Sequence, residues 1–162
     1  MVREGTVEDA AQIAAIYNYY IQNTVASFEE EDVTAADMAQ RMRTIIDTYP
    51  WLVYEVGGEV IGYVYASPWK ARSAYKHSVE CSMYLDQTQV RKGIGTALYL
   101  AIMERLKEMK VHCIIGGVAL PNDASVGLLE KFGFEKVAHF KEVGMKLGKW
   151  VDVAYWQQII PE

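Results

Sequence analysis

The chain has 162 residues, 51% of them hydrophobic and 23% charged, which is enough apolar material for one buried core without disulfides or metals. A formal charge of −5 argues against a nucleic-acid scaffold, which would carry a basic surface. Charged and polar residues begin at Arg3, and no apolar run nears the roughly 18 residues that cross a bilayer, so neither signal peptide nor membrane span is expected and a cytoplasmic location is.

Val2 and Arg3 suggest a short first strand. Thr6 and Asp9 have capping-box spacing for a helix that turns Ala10, Ile13, Ala14, Tyr17 and Ile21 inward. Residues 23–32, with Phe28 and an acidic run, read as a loop. Thr34 and Asp37 repeat the capping box ahead of a helix with Met38, Met42 and Ile45, which Pro50 stops. Residues 51–56 and 60–66 are β-rich, and Gly57-Gly58 between them signals a hairpin.

From Lys76 the pattern alternates. Val79, Cys81, Met83 and Leu85 point one way for a core, and Ser78, Glu80, Ser82 and Tyr84 form a polar face on the other side. A buried-looking strand is expected over 111–118, a short helix from Pro121-Asn122 to just before Gly133, and two strands, 134–145 and 150–160, joined around Gly148. Cys81 and Cys113 form no Cys-x-x-Cys pair; they read as buried thiols, and no metal site is expected. No repeat or linker interrupts the chain, so a single α/β domain over 1–162 is expected.

The most informative stretch runs from Gln89 to Leu98. A basic, glycine-punctuated loop containing Arg91, Lys92, Gly93 and Gly95 leads into a helix whose Ile94, Leu98, Ala101, Ile102, Leu106 and Met109 share one apolar face. A helix start leaves amides unpaired at the positive end of the dipole, and glycine lets an anion approach the backbone. In an acidic chain, that basic loop points to a small polyanionic ligand. The glycine spacing alone is weak: a dinucleotide fingerprint would want glycine where Leu98 stands, and the P-loop pattern is absent.

A strand with a lone carboxylate, then the glycine loop and long helix, a strand, an Asn-initiated helix and a final strand pair: this order resembles the GNAT family of N-acetyltransferases over nearly the whole chain. Within that family the chain is similar to phosphinothricin and methionine sulfoximine acetyltransferases. That likeness is carried by Pro68-Trp69-Lys70-Ala71-Arg72, Tyr75, Ser78-Val79-Glu80, Gly148-Lys149-Trp150, Asp152-Val153 and Tyr155-Trp156-Gln157.

The resemblance implies a mixed α/β fold whose mostly antiparallel sheet splays at a cofactor cleft between flanking helices. Acetyl-coenzyme A would be held by Arg91, Lys92, Gly93, Ile94, Gly95 and Thr96 at its diphosphate. Backbone groups of Met83, Tyr84 and Leu85 would hold its pantetheine arm, with Asn122 and Ser125 nearby. Glu80 would be the general base. The acceptor, an amino acid such as phosphinothricin, methionine sulfoximine or methionine sulfone, would meet Phe28, Lys70, Ala71, Arg72, Tyr75, Glu80, Cys81 and Ser82. Arginine suits a planar carboxylate, which favours Arg72 or Lys70 for the acceptor's acid group.

Two departures stand out. Val90 replaces a Gln or Arg that many members carry before the loop, and Leu129 stands where relatives often place Tyr or His as general acid, so no general acid is assigned. Two other readings remain: the same fold acting on a polyamine or a protein N-terminus, and a non-catalytic acyl-coenzyme A module. Homodimers are common among look-alikes, and the aromatic C-terminal strands offer a surface for one.

Overall fold

A computed structural model describes residues 1–90 and 92–162. Among them are seven strands in one sheet, ordered β1-β2-β3-β4-β5-β7-β6, and four α-helices. The strands are β1 (Val2–Glu4), β2 (Trp51–Val56), β3 (Glu59–Pro68), β4 (Ser78–Leu85), β5 (Cys113–Ala119), β6 (Glu135–Lys146) and β7 (Lys149–Ile159). The helices are α1 (Ala10–Asn23), α2 (Ala35–Ile46), α3 (Ile94–Glu108) and α4 (Asp123–Lys131). Every neighbouring pair of strands is antiparallel except β4 and β5.

A parallel pair needs a crossover, and α3 supplies it. Leu98, Ile102 and Leu106 on α3 are fully buried and pack with Leu52, Val64, Val79 and Ile114 of the sheet. On the opposite face α1 and α2 bury Ile13, Ile21 and Met42 against Trp51, Val53, Val60 and Tyr63. The middle strands are thus covered on both sides, which is why β3 reads as a nearly continuous apolar run.

The Thr34–Asp37 capping box forms as expected, the Thr34 hydroxyl accepting from the Asp37 amide at 3.0 Å. The Thr6–Asp9 box also forms, but it closes a 3₁₀ turn at Val7–Asp9 that then runs into α1. There Asp9 takes a second role, as the Arg3 guanidinium donates to both its oxygens at 2.9 and 2.7 Å. Gly57 and Gly58 adopt φ of 58° and 85°, the left-handed pair a two-residue hairpin requires.

Two expectations need correction. Met109 is the C-cap of α3, past the last helical residue, and is 41% exposed; the buried stripe ends at Leu106 and takes in Tyr99 and Met103. The Ser82–Tyr84 side of β4 is not a free polar face: Tyr84 packs under α1, edge-on to Tyr17 at 5.0 Å, and belongs to the second core.

Truncating Leu98 to Ala should lower the unfolding free energy by about 2–5 kcal/mol in a urea titration, whereas Leu100→Ala, at a site 54% exposed, should stay within about 0.5 kcal/mol of the parent.

Candidate active site

The parallel pairing of β4 with β5 covers only three rungs: Ser78 with Cys113, Val79 with Ile114, and Glu80 with Ile115. β4 continues to Leu85 and β5 to Ala119, so beyond Glu80 the two strands part. β4 stays paired to β3 on its other edge throughout, which leaves the inward backbone groups of Ser82–Leu85 without a strand partner. Between the strands lies a cavity of about 350 Å³. Cys81 to Leu85 form one wall and Gly116 to Ala119 the other, while Asn122, Ser125, Leu128 and Leu129 of α4 close it.

One end of this cleft suits an anion. Gly93 is the N-cap of α3, with φ of 77°, and among the described residues no side chain caps the helix. A Cβ on Gly93 would meet nothing within 4 Å, so the cap residue itself borders open space next to the helix's unpaired first amides. Two ammonium groups stand beside them. Lys92 Nζ donates to Gln89 at 3.0 Å, and Lys131 Nζ, from the end of α4, donates to the Thr96 hydroxyl at 3.3 Å. A cation beside a helix N-terminus is unfavourable unless an anion sits between them, so Lys131 adds to the case for one. Gly95 is buried against Leu128 of α4 and Met83 and Leu85 of β4, and the buried Ile94 side chain packs toward Gly62 of β3 rather than toward a ligand. Arg91 lies outside the described residues.

The vertex is marked by Glu80. It is half-buried and has neither a hydrogen-bond nor an ion-pair partner among the described residues. Burial raises its carboxyl above the ordinary range, and the charge of Lys70 only partly offsets this. Tyr65 and Tyr155 are close enough to feel the carboxylate. Tyr155 lies edge-on to Trp69 at 5.7 Å and to Phe140 at 6.0 Å, and Lys70 Nζ sits 4.9 Å above the Trp69 ring. The result is an aromatic wall with one ammonium and one carboxylate before it.

The other expected acceptor residues fall into three groups. Ala71, Arg72 and Tyr75 lie in the exposed β3–β4 connection, where Arg72 caps the 3₁₀ turn Ser73–Tyr75 and its guanidinium has no partner among the described residues. Phe28 is 43% exposed, and its ring covers Gly144, where an added Cβ would overlap it. Ser82 faces the Glu80 side beside Tyr65, whereas Cys81 points to the α3 side, away from the acceptor wall, with burial pushing its thiol up to about 12.

Asn122 caps α4, its side-chain oxygen accepting from the Ser125 amide at 3.2 Å, and both residues line the cleft. The Leu85 carbonyl is already taken by the Tyr20 hydroxyl at 2.5 Å, so only the remaining groups of that segment face the cavity free. No group of three metal-ligating side chains occurs among the described residues.

Sequence reasoning missed Tyr20, Tyr99, Gly116, Gly117, Lys131 and Tyr155 as parts of the site. Two signals were available: paired glycines inside a strand mark a close approach, and a tyrosine on a buried helix face needs a partner for its hydroxyl. Gly117 does make such an approach, for a Cβ there would stand 2.9 Å from the Tyr155 ring. An elongated cleft with an anion cradle at one end and free strand amides along it fits a long thiol cosubstrate bearing a diphosphate.

Residues 2–155 match the family described as an acetyltransferase (GNAT) domain. A phosphinothricin N-acetyltransferase of Streptomyces viridochromogenes is 36% identical over 157 residues, which cover 97% of this chain and 86% of that protein. An L-methionine sulfoximine/L-methionine sulfone acetyltransferase of Pseudomonas aeruginosa is 35% identical over 162 residues, covering 96% and 92%. Among solved structures, a GNAT-superfamily phosphinothricin acetyltransferase from Sinorhizobium meliloti in complex with acetyl-coenzyme A superposes with a TM-score of 0.95 at 34% identity, covering 99% of this chain and 88% of that one. With the family matched over nearly its whole length and the same splayed sheet in hand, the chain belongs to the GNAT acetyltransferases.

Proposed function

We propose that residues 1–162 form one catalytic domain that moves an acetyl group from acetyl-coenzyme A directly to the α-amine of a small amino acid carrying a tetrahedral phosphorus or sulfur group. Phosphinothricin, methionine sulfoximine and methionine sulfone are the acceptors named for its relatives. The observation that carries this reading is Glu80: a half-buried carboxylate, unpartnered among the described residues, on the last rung before β4 and β5 part, next to the cleft wall that begins at Cys81.

Acetyl-coenzyme A supplies an acetyl group already activated as a thioester. The chain's own residues have three tasks. The first turn of α3, with Lys92 and Lys131 beside it, holds the diphosphate. Unpaired backbone groups between Ser82 and Leu85 take the pantetheine amides as a partner strand would. Glu80 then removes a proton from the acceptor nitrogen. An α-amine with a pKa near about 8 is mostly protonated at neutral pH, and a carboxylate raised toward neutrality is a better match for it than an ordinary one.

Lys70 beside Glu80, and Arg72 in the same exposed connection, favour an acceptor with an acid group over a polyamine, which would favour acidic walls. The wall of Trp69, Tyr155 and Phe140 suits the acceptor's aliphatic carbons. Two unpaired thiols support a reducing, cytoplasmic setting. Exposed apolar side chains along β6 and β7, including Phe140, Val143, Met145 and Trp150, support a homodimer.

A panel of amines assayed by release of free coenzyme A thiol should place the three named amino acids ahead of spermidine and of peptides with free N-termini; a preference for either of the latter would reject the acceptor assignment. Glu80→Gln should lower kcat at pH 7 by roughly 10²–10⁴-fold with little change in coenzyme A affinity. In the parent, activity should fall as pH drops through the raised pKa of Glu80, since the base is then protonated; that limb should vanish in the variant. Arg72→Ala should raise the amino-acid KM by roughly 10- to 100-fold, the worth of a charge-assisted hydrogen bond, while leaving kcat near the parent value.

A further inference from the structure

Past the last rung with β5, the free edge of β4 presents its backbone at every second residue. The Asp86 amide donates to the Ile61 carbonyl at 2.9 Å and the Trp69 amide to the Ser78 carbonyl at 3.4 Å, so the even-numbered residues from Ser78 to Asp86 turn their amides and carbonyls toward β3. Those of Cys81, Met83 and Leu85 therefore turn toward the cleft. Leu85 stands at its anion end: a Cβ on Gly95, in the first turn of α3, would lie 3.5 Å from the Met83 sulfur and 3.8 Å from a Leu85 methyl. From Leu85 to Glu80 is about 17 Å of strand, which a bound arm covers only when it is stretched out.

One of these groups is already used. The Tyr20 hydroxyl, from α1, donates to the Leu85 carbonyl at 2.5 Å. Tyr20 is half-buried and itself lines the cleft. Its ring is held edge-on to Tyr19 at 5.4 Å and tilted against Tyr84 at 5.3 Å. Burial raises its hydroxyl above the ordinary phenol value, so it keeps the proton, and with it the bond, through the neutral range. The bond is not needed to hold β4, whose pairing with β3 runs to Gly62 and Leu85 and is followed by the Asp86–Ile61 bond. What it changes is the set of groups left for a ligand: beyond Cys81 these are the amide and carbonyl of Met83 and the amide of Leu85, but not the Leu85 carbonyl.

A ligand that pairs with a strand edge meets the same donor and acceptor at every second residue, so without a mark it can pair two residues off register. We propose that Tyr20 is that mark, a positioning residue for the cosubstrate: by holding the Leu85 carbonyl it leaves Met83 to supply the carbonyl past Cys81, and so fixes the level at which the thioester stands beside Glu80. The inference rests on the acetyl-transfer reading above. An arm that paired with the Leu85 carbonyl instead would be drawn back toward α3 by one two-residue step, about 7 Å, and its thioester would end short of Glu80.

Tyr20→Phe keeps the ring and frees the carbonyl, and its melting temperature should stay within about 4 °C of the parent's, the worth of one hydrogen bond. Calorimetry should show coenzyme A bound within about threefold of the parent's affinity or tighter, with the KM for acetyl-coenzyme A following it, while kcat falls roughly 10- to 100-fold because the thioester is set back from the amine. The acid limb of the kcat–pH profile should stay where it is in the parent, since Glu80 is untouched. A parent-like kcat, or a rise in KM as large as the fall in kcat, would overturn the proposal and leave the role of Glu80 standing. A parent that fails to bind coenzyme A would overturn both.

Discussion

The structure turns on the parting of β4 from β5 after the Glu80–Ile115 rung. Parallel strands in a continuous sheet would satisfy each other's backbone groups; here three rungs are made and the rest are withheld, so a cleft is cut through the sheet itself. What keeps the sheet from failing at that point is the packing on either side. α3 spans the back of β2, β3 and β4 through Leu98, Ile102 and Leu106, and α1 and α2 seal the front through Ile13, Ile21 and Met42. β7, running antiparallel to β5 from Cys113 to Ala119, holds the far wall in place.

That geometry gives the cleft two faces and two ends. The end at α3 gathers unpaired amides, Gly93 in its left-handed conformation, and the ammonium groups of Lys92 and Lys131. The vertex holds Glu80, a half-buried carboxylate with no hydrogen-bond or ion-pair partner among the described residues. The aromatic wall of Trp69, Tyr155 and Phe140, with Lys70 over the Trp69 ring, stands before the carboxylate.

Much of this was legible before any coordinates. Alternation over residues 78–85 placed Glu80 and Cys81 on opposite faces, the glycines on either side of Ile94 announced the start of α3, and Gly57-Gly58 announced the hairpin. These are local signals, set by periods of 2 and 3.6 and by backbone conformations that glycine favours. The parting of the strands was expected only through family resemblance, since no period in the sequence tells a strand where its pairing stops. The partners drawn from distant segments were not legible either. Lys131 reaches Thr96 from 35 positions away, Tyr20 takes the Leu85 carbonyl across 65, and Tyr155 comes to the acceptor wall only because β7 inserts between β5 and β6. Tyr99 escaped because the buried stripe of α3 was read from aliphatic residues alone.

The claim on which the account depends is that the gap between β4 and β5 seats the thioester. A crystal structure with coenzyme A and methionine sulfone bound tests it most directly. The account predicts the diphosphate on the first turn of α3, the sulfur in the gap between β4 and β5, and the sulfone's amine facing Glu80. Coenzyme A bound elsewhere, or a sulfur lying outside that gap, would contradict it.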